Sequence, residues 1–130
     1  MRLAGSRCDA DLVFRCLIVD DSVGFLSSAR RLLERQGIVV AGVASSGAEA
    51  LLRLAELRPD VVLLDIDLGG ESGLEVAERL DHAGSPRIIM ISTHAEQDYR
   101  DLIAASPAVG FLPKTSLSAQ AIQELLNRGV

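Results

Sequence analysis

"LIVDDS", residues Leu17 to Ser22, runs three apolar residues straight into two adjacent carboxylates, Asp20 and Asp21. A strand gains nothing in packing from a paired negative charge at its end, so the pair asks for a reason outside the core. Working outward, the same kind of stretch recurs. "FRCLIV" (14–19), "VVAGVA" (39–44), "VVLLD" (61–65), "RIIMIS" (87–92) and "VGFLP" (109–113) read as strands. Three are nearly continuous apolar runs, the pattern of strands covered on both faces in a parallel sheet.

Helical spacing fills the intervals. Segment 23–36 puts Phe25, Ala29, Leu32 and Leu33 on one face and Arg30, Arg31, Glu34 and Arg35 elsewhere, with Gly37 to end it. Segment 48–57 offers Ala48, Leu51, Leu52 and Ala55, after a capping Ser46 and before Pro59. Segment 73–83 offers Leu74, Ala77 and Leu80; segment 95–105 offers Tyr99, Leu102 and Ile103. Segment 117–127 carries Leu117, Ala121, Leu125 and Leu126, with Ser116 or Ser118 as its cap. Strand and helix therefore alternate through five units. Parallel strands need crossovers, and these helices supply them with right-handed connections. Five units are too few for an eight-stranded barrel. The expectation is an α/β fold, (βα)5, with an open, doubly wound parallel five-stranded sheet whose ligands sit at the carboxyl ends of the strands. Residues 14–130 form that single domain. Residues 1–13, "MRLAGSRCDADLV", read as a loosely ordered extension or a start placed too early.

The composition narrows the function. Hydrophobic residues make up 48% of the 130, enough for a core, and aromatics only 3%, with no Trp and one Tyr, so a base-stacking surface is not expected. The net charge of −5 speaks against a general nucleic-acid or anionic-membrane binder. No apolar stretch approaches the roughly 20 residues of a membrane span, and Asp9 and Asp11 interrupt any leader-like run. Cys8 and Cys16 are not at a metal-ligand spacing; Cys16, inside an apolar run, behaves as a small hydrophobe. A reducing, cytoplasmic setting follows.

The polar residues at the strand ends form a set. The first strand ends on Asp20 and Asp21, the third on Asp65 with Asp67 two residues on, the fourth on Ser92 and Thr93, the fifth on Lys114. All lie at one edge of one sheet. Two carboxylates about 4 Å apart repel by roughly 4 kcal/mol at an effective dielectric of 20, so converging acids take up a proton or a cation. Oxygen ligands without His or Cys favour a hard ion, and Mg²⁺ is the abundant one. A divalent ion, a lysine and a hydroxyl around one carboxylate suit phosphoryl transfer, with Asp65 as nucleophile.

"LIVDDS", "VVLLDIDLGGESGLEV", "IIMIST" and "GFLPK", in this order and at strand ends, resemble the response-regulator receiver domain of two-component signalling, the CheY-like family, over residues 14 to 127. The resemblance implies a flavodoxin-like fold with strand order 2-1-3-4-5. It implies that Asp65 accepts a phosphoryl group from a phosphohistidine on a sensor histidine kinase or phosphotransfer protein. It implies Mg²⁺ held by Asp21 directly, by Asp20 largely through water, by Asp65, and by the main-chain carbonyl of Asp67. Ser92 and Lys114 would meet the phosphoryl oxygens. Ser92 and Phe111 would be the switch pair. Output, and a homodimer where one forms, would use the face of the fourth helix, fifth strand and fifth helix. Such a domain is no enzyme beyond its own phosphorylation and slow dephosphorylation.

The chain departs from the family in places. "DLGGESG" lacks the family's frequent proline, and Gly69, Gly70 and Gly73 supply turn freedom instead. Phe111 stands where Tyr is commoner. Thr115 follows the lysine where the family often has a cis proline. A cis non-proline bond costs about 3 kcal/mol, so a trans bond is predicted. Pro113 fits an edge strand. Asp67 brings a fourth acid toward the site, and Thr93 is bulky enough to obstruct an attacking water, so both are candidate modulators of phosphate lifetime.

Plainer readings stand beside these. Asp20 or Ser22 caps the first helix; Asp60 serves a turn; His94 and His82 are bystanders; Phe111 is core; the arginines of the first helix are a solvated face. Two other functions remain open: a haloacid-dehalogenase-like phosphatase with Asp65 as nucleophile and Asp67 as general acid, and a receiver fold used for docking without phosphorylation. "GFLPKTSLS" also resembles receivers that precede a helix-turn-helix domain, which leaves a role in transcription regulation open. The chain itself, ending soon after its last helix, is expected neither to bind DNA nor to touch membrane.

Overall fold

The computed structural model describes residues 14–93 and 98–128. The Cys8, His94 and 1–13 readings, and residues 95–97 of the fourth helical segment, lie outside them. Five strands, β1 (Arg15–Val19), β2 (Val39–Ala44), β3 (Val61–Asp65), β4 (Arg87–Ser92) and β5 (Gly110–Pro113), alternate with helices α1 (Val23–Arg35), α2 (Gly47–Leu57), α3 (Gly73–Gly84), α4 (Arg100–Ala104) and α5 (Ala119–Arg128). The strands pair in parallel in the order β2-β1-β3-β4-β5, the flavodoxin-like arrangement expected of the sequence.

The three central strands explain why the apolar runs are continuous. Cys16 to Val19, Val61 to Leu64 and Ile88 to Ile91 have no solvent exposure at all. Strand side chains alternate between faces. Leu17, Val19, Val62, Leu64, Ile88 and Met90 accordingly join one core with Ala50, Leu54, Val76, Ala77 and Leu80 of α2 and α3. Cys16, Ile18, Val61, Leu63, Ile89 and Ile91 join the other with Leu26 and Leu33 of α1 and Ile122 and Leu126 of α5. Each large aliphatic side chain so buried contributes about 1.5–3 kcal/mol. Cys16 serves as the small hydrophobe expected of it, and burial pushes its thiol up to about 12.

Helix ends follow their signals. Ser22, Ser46 and Ser72 each accept a hydrogen bond from the backbone N–H three residues on. At α5 the cap is Ser118, whose Oγ accepts from Ala121 N at 3.0 Å, rather than Ser116, which lies in a single 3-10 turn over Lys114–Ser116. Asp60 has the turn role expected: it accepts from Arg15 N at 2.8 Å and ties the start of β1 to the loop before β3.

Several helix faces differ from expectation. On α1 the buried stripe is Leu26, Ala29 and Leu33, with Phe25 and Leu32 on its flank. On α2 it is Gly47, Ala50 and Leu54, while Ala48, Leu52 and Ala55 face outward, Leu52 at 64% exposure. Apolar residues nearly all round α2 leave spacing without a unique solution. Packing resolves it through Gly47, where a Cβ would lie 2.7 Å from Val76 Cγ2 of α3. On α4 Ile103 is buried and Leu102 exposed. Among the described residues no helix is long and apolar enough to cross a membrane.

Candidate functional site

The site begins where β1 stops. Asp20 N donates to Ala44 O at 3.0 Å, continuing the sheet for one residue, and Asp20 Oδ1 accepts from Ser22 N at 2.8 Å. That pins the Asp20 carboxylate inside, at 0% exposure, while Asp21 turns to the exposed rim and Ser22 caps α1. Each residue of "DDS" thus has a separate task.

β3 delivers the second acid. Ile66 N donates to Ile91 O, which keeps the chain in the sheet just past Asp65, and Asp65 Oδ1 accepts from Asp67 N at 3.2 Å. The following loop folds back on itself: Gly69 N donates to Asp67 Oδ1 at 3.1 Å and Leu68 N to Glu71 O at 3.0 Å. The third contributor is Lys114, the first residue after β5. Its Nζ lies 2.5 Å from Asp20 Oδ2 and 3.1 Å from Asp65 Oδ2, and the side chain is 13% exposed. Pro113 sits at the end of edge strand β5 opposite Ser92, and the Lys114–Thr115 bond is trans, as predicted.

The structure therefore brings Asp20, Asp21 and Asp65 together, with one carboxylate oxygen from each within 4.8 Å of the others, and sets Lys114 against two of them. Ser92, buried, ends β4 beside them, and Thr93 follows it, exposed. Phe111 is buried in the α2–α3 side of the core, with Leu64, Met90 and Ile103. The Asp67 carboxylate does not join the acid cluster; it holds the Gly69 N–H of its own loop, because a short Asp side chain closes a local turn more readily than it spans the cleft.

Three residues of the site escape a reading by spacing. Phe25, on the flank of α1, lays its ring under the ammonium of Lys114, 4.4 Å from Nζ to ring centroid. Gly69, at φ +67°, passes so close to the rim that a Cβ would lie 2.5 Å from Asp21 Oδ2. Gly73 is not a turn glycine. A Cβ there would collide with the carbonyl oxygen of Asp65 and stand 2.9 Å from Ile66 Cα, so its absence lets α3 start against the end of β3. The Gly69 and Gly73 signals are simply glycines soon after a strand-end acid.

Electrostatics fit a cation. Burial pushes the Asp65 carboxyl above the usual carboxylate range; the Asp67 N–H and Lys114 pull it back, and the Asp20 charge adds to the rise. Burial works against the charge on Lys114, but the close carboxylates of Asp20 and Asp65 outweigh it and leave the ammonium raised. At 4.8 Å each ionised carboxylate pair repels by about 3–4 kcal/mol at an effective dielectric of 20. One lysine cannot offset three acids. Among the described residues Asp20 Oδ2, buried, makes no hydrogen bond, and its charge is met by Lys114 at ion-pair distance. An all-oxygen donor set of this kind suits a hard divalent ion. A cleft lined by Leu51, Leu54, Arg58, Pro59, Ala83 and Pro86 lies elsewhere, between α2 and α3, and holds none of these groups.

A parallel 2-1-3-4-5 sheet with paired acids, a buried aspartate and a lysine at its carboxyl edge is the arrangement that the receiver resemblance implies. The model of the response regulator receiver domain matches residues 16–127. A protein-glutamate methylesterase/protein-glutamine glutaminase of Myxococcus xanthus is 36% identical over 115 residues, 85% of this chain and 33% of that protein. The response regulator GacA of Pseudomonas viridiflava is 30% identical, over 87% of this chain and 54% of its own length. The signal receiver domain of the putative response regulator NarL from Mycobacterium tuberculosis superposes with a TM-score of 0.76 at 30% identity, over 89% of this chain and 95% of that one. The chain belongs to the response-regulator receiver family. It spans a third of the methylesterase relative and about half of GacA. Phosphorylation on aspartate and Mg²⁺ binding are general properties of this family, and the match leaves the haloacid-dehalogenase reading without support.

Proposed function

We propose that this receiver takes a phosphoryl group from a phosphohistidine of a sensor histidine kinase or phosphotransfer protein onto Asp65. The carboxylate oxygen of Asp65 attacks phosphorus, the P–N bond breaks as the P–O bond forms, and the imidazole nitrogen leaves with the electron pair and takes up a proton. The carrying observation is Asp65 Oδ2 at 3.1 Å from Lys114 Nζ, in a nest where Asp20 and Asp21 also converge. Lys114 is in reach of the group that Asp65 would carry. Ser92, buried at the end of the neighbouring strand, offers its hydroxyl to a phosphoryl oxygen. Asp20, Asp21 and Asp65, with the main-chain carbonyl of Asp67, would hold Mg²⁺. When bound, that ion offsets negative charge on the transferring oxygens.

Phe111, two residues before the strand-end pair of Ser92 and Pro113 and in the same core cluster as Ile103 of α4, would link Ser92 with the face of α4, β5 and α5. That face would carry output and any homodimer contact. The setting is cytoplasmic, and the chain neither enters membrane nor binds DNA itself. Incubation with phosphoramidate and Mg²⁺ should add one phosphoryl group, hydroxylamine-labile and mapped to Asp65, and Asp65→Asn should take none. A phosphate that maps elsewhere, or a parent chain that stays unmodified, would leave the docking-module reading in its place.

A further inference from the structure

We propose that Phe25 is a positioning residue for Lys114: the face of its ring holds the ammonium in the cleft between Asp20 and Asp65. The inference rests on the phosphoacceptor reading for its consequence, and on geometry alone for the contact. Lys114 is the only lysine in a chain with twelve arginines. Among the described residues, three groups stand close to its Nζ: Asp20 Oδ2, Asp65 Oδ2 and the Phe25 ring. The ring stands 4.4 Å away, inside the range where the negative face of a benzene ring attracts a cation.

The ring is also fixed in place. Phe25 N donates to Ser22 Oγ at 3.2 Å in the cap of α1, and the side chain packs against the α1–α5 side of the core. Ser22 follows directly on the acid pair, so the cap that ends "LIVDDS" also sets where the ring sits. Of the three neighbours, Asp65 changes charge on phosphorylation and Asp20 is claimed when a divalent ion binds. The ring carries no charge for either event to alter. It limits the excursions of a flexible four-carbon side chain that would otherwise swing to solvent each time its carboxylate partners are altered.

The test uses the whole chain grown with labelled lysine, which yields a single residue's signals. In the parent, the ε-methylene protons of Lys114 should lie upfield of an unfolded chain, and Phe25→Leu should abolish that ring-current shift. Phe25→Leu should also slow phosphorylation by phosphoramidate about fivefold, the scale of one partly desolvated cation–π contact. Phe25→Tyr, which keeps a ring face, should restore both. In a Lys114→Met background Phe25→Leu should change the residual rate by less than about twofold, because the group it positions is gone. An unshifted Lys114 in the parent would overturn the contact. A normal rate in Phe25→Leu, or an equal loss in the Lys114→Met background, would overturn the positioning role. If the parent is never phosphorylated, the phosphoacceptor reading fails, while the spectra still decide the contact.

Discussion

Lys114→Met removes the one positive charge that meets two buried carboxylates, and its cost can be worked from the distances. At an effective dielectric of 20, the contacts at 2.5 Å and 3.1 Å are worth about 7 and about 5 kcal/mol of Coulomb attraction. Taking the ammonium out of water returns several kcal/mol of this, and loss of one partner of a buried pair typically costs about 3–5 kcal/mol. The variant should therefore lose about 3–5 kcal/mol in EDTA at pH 7.5, read by urea unfolding followed with far-UV circular dichroism. The sign with pH follows from the acids left behind. Asp65 already sits above the usual range because of burial, and without Lys114 it rises further. A carboxyl whose folded pKa is raised keeps its stability contribution below its unfolded value near 3.9 and loses it as pH climbs through the folded value. The deficit should thus be smallest near pH 4 and grow toward neutrality. The parent behaves differently: its raised ammonium stabilises the fold up to about pH 10 and loses that contribution as pH passes the folded value. Saturating Mg²⁺ should recover part of the deficit by binding only the folded cluster. A deficit under about 1 kcal/mol at pH 7.5, or one flat from pH 4 to 8, refutes the electrostatic account.

Thr93, exposed beside buried Ser92, is proposed to obstruct the attacking water, so Thr93→Ala should speed loss of phosphate from Asp65; an unchanged rate in a purified decay assay removes the idea. Gly73→Ala forces a methyl against the Asp65 carbonyl and should lower stability by about 1–3 kcal/mol, measured as a shift in urea midpoint; a parent-like midpoint would mean that α3 has room to move. Cys16, with its thiol pushed up to about 12, should resist iodoacetamide at pH 8 in the native state and react only on unfolding, as mapped by peptide mass. From about pH 9 upward the same shift should cost the native state stability, because the unfolded thiol ionises first.

What could be read from the chain follows from which physics is periodic. Parallel strands buried on both faces announce themselves as runs such as "VVLLD" and "IIMI", and five of them with helical intervals point to an open doubly wound sheet; the order of its strands is what the family resemblance implies. The acids were legible for a related reason: a carboxylate closing an apolar run has no packing purpose, so Asp20 and Asp65 stand out. The face of α2 was not legible, because Ala48, Leu51, Leu52 and Ala55 look as apolar as Ala50 and Leu54; only the close approach at Gly47 chooses between them. Gly73 reads as turn freedom because a glycine needed for clearance and one needed for positive φ are spelled alike. Phe25 was placed on the core stripe of α1. Nothing in a helical period says that a flanking aromatic reaches a lysine 89 positions away.

The choice of Lys over Arg at position 114 belongs to the same geometry. Twelve of the thirteen basic residues are arginine, so arginine is the rule in this chain and the exception needs a cause. A guanidinium presents its donors in a planar fork suited to one carboxylate approached edge-on. Here the cation must meet single oxygens of two different aspartates at 2.5 Å and 3.1 Å while a ring face stands 4.4 Å away. A compact ammonium with three freely rotating donors satisfies those directions together, where a planar fork would direct its donors to one carboxylate. An ammonium on four methylenes can also turn toward new oxygens at Asp65 without moving its backbone. The 3-10 turn at Lys114–Ser116 and the paired strand β5 anchor that backbone, so the mobility is confined to the side chain that requires it.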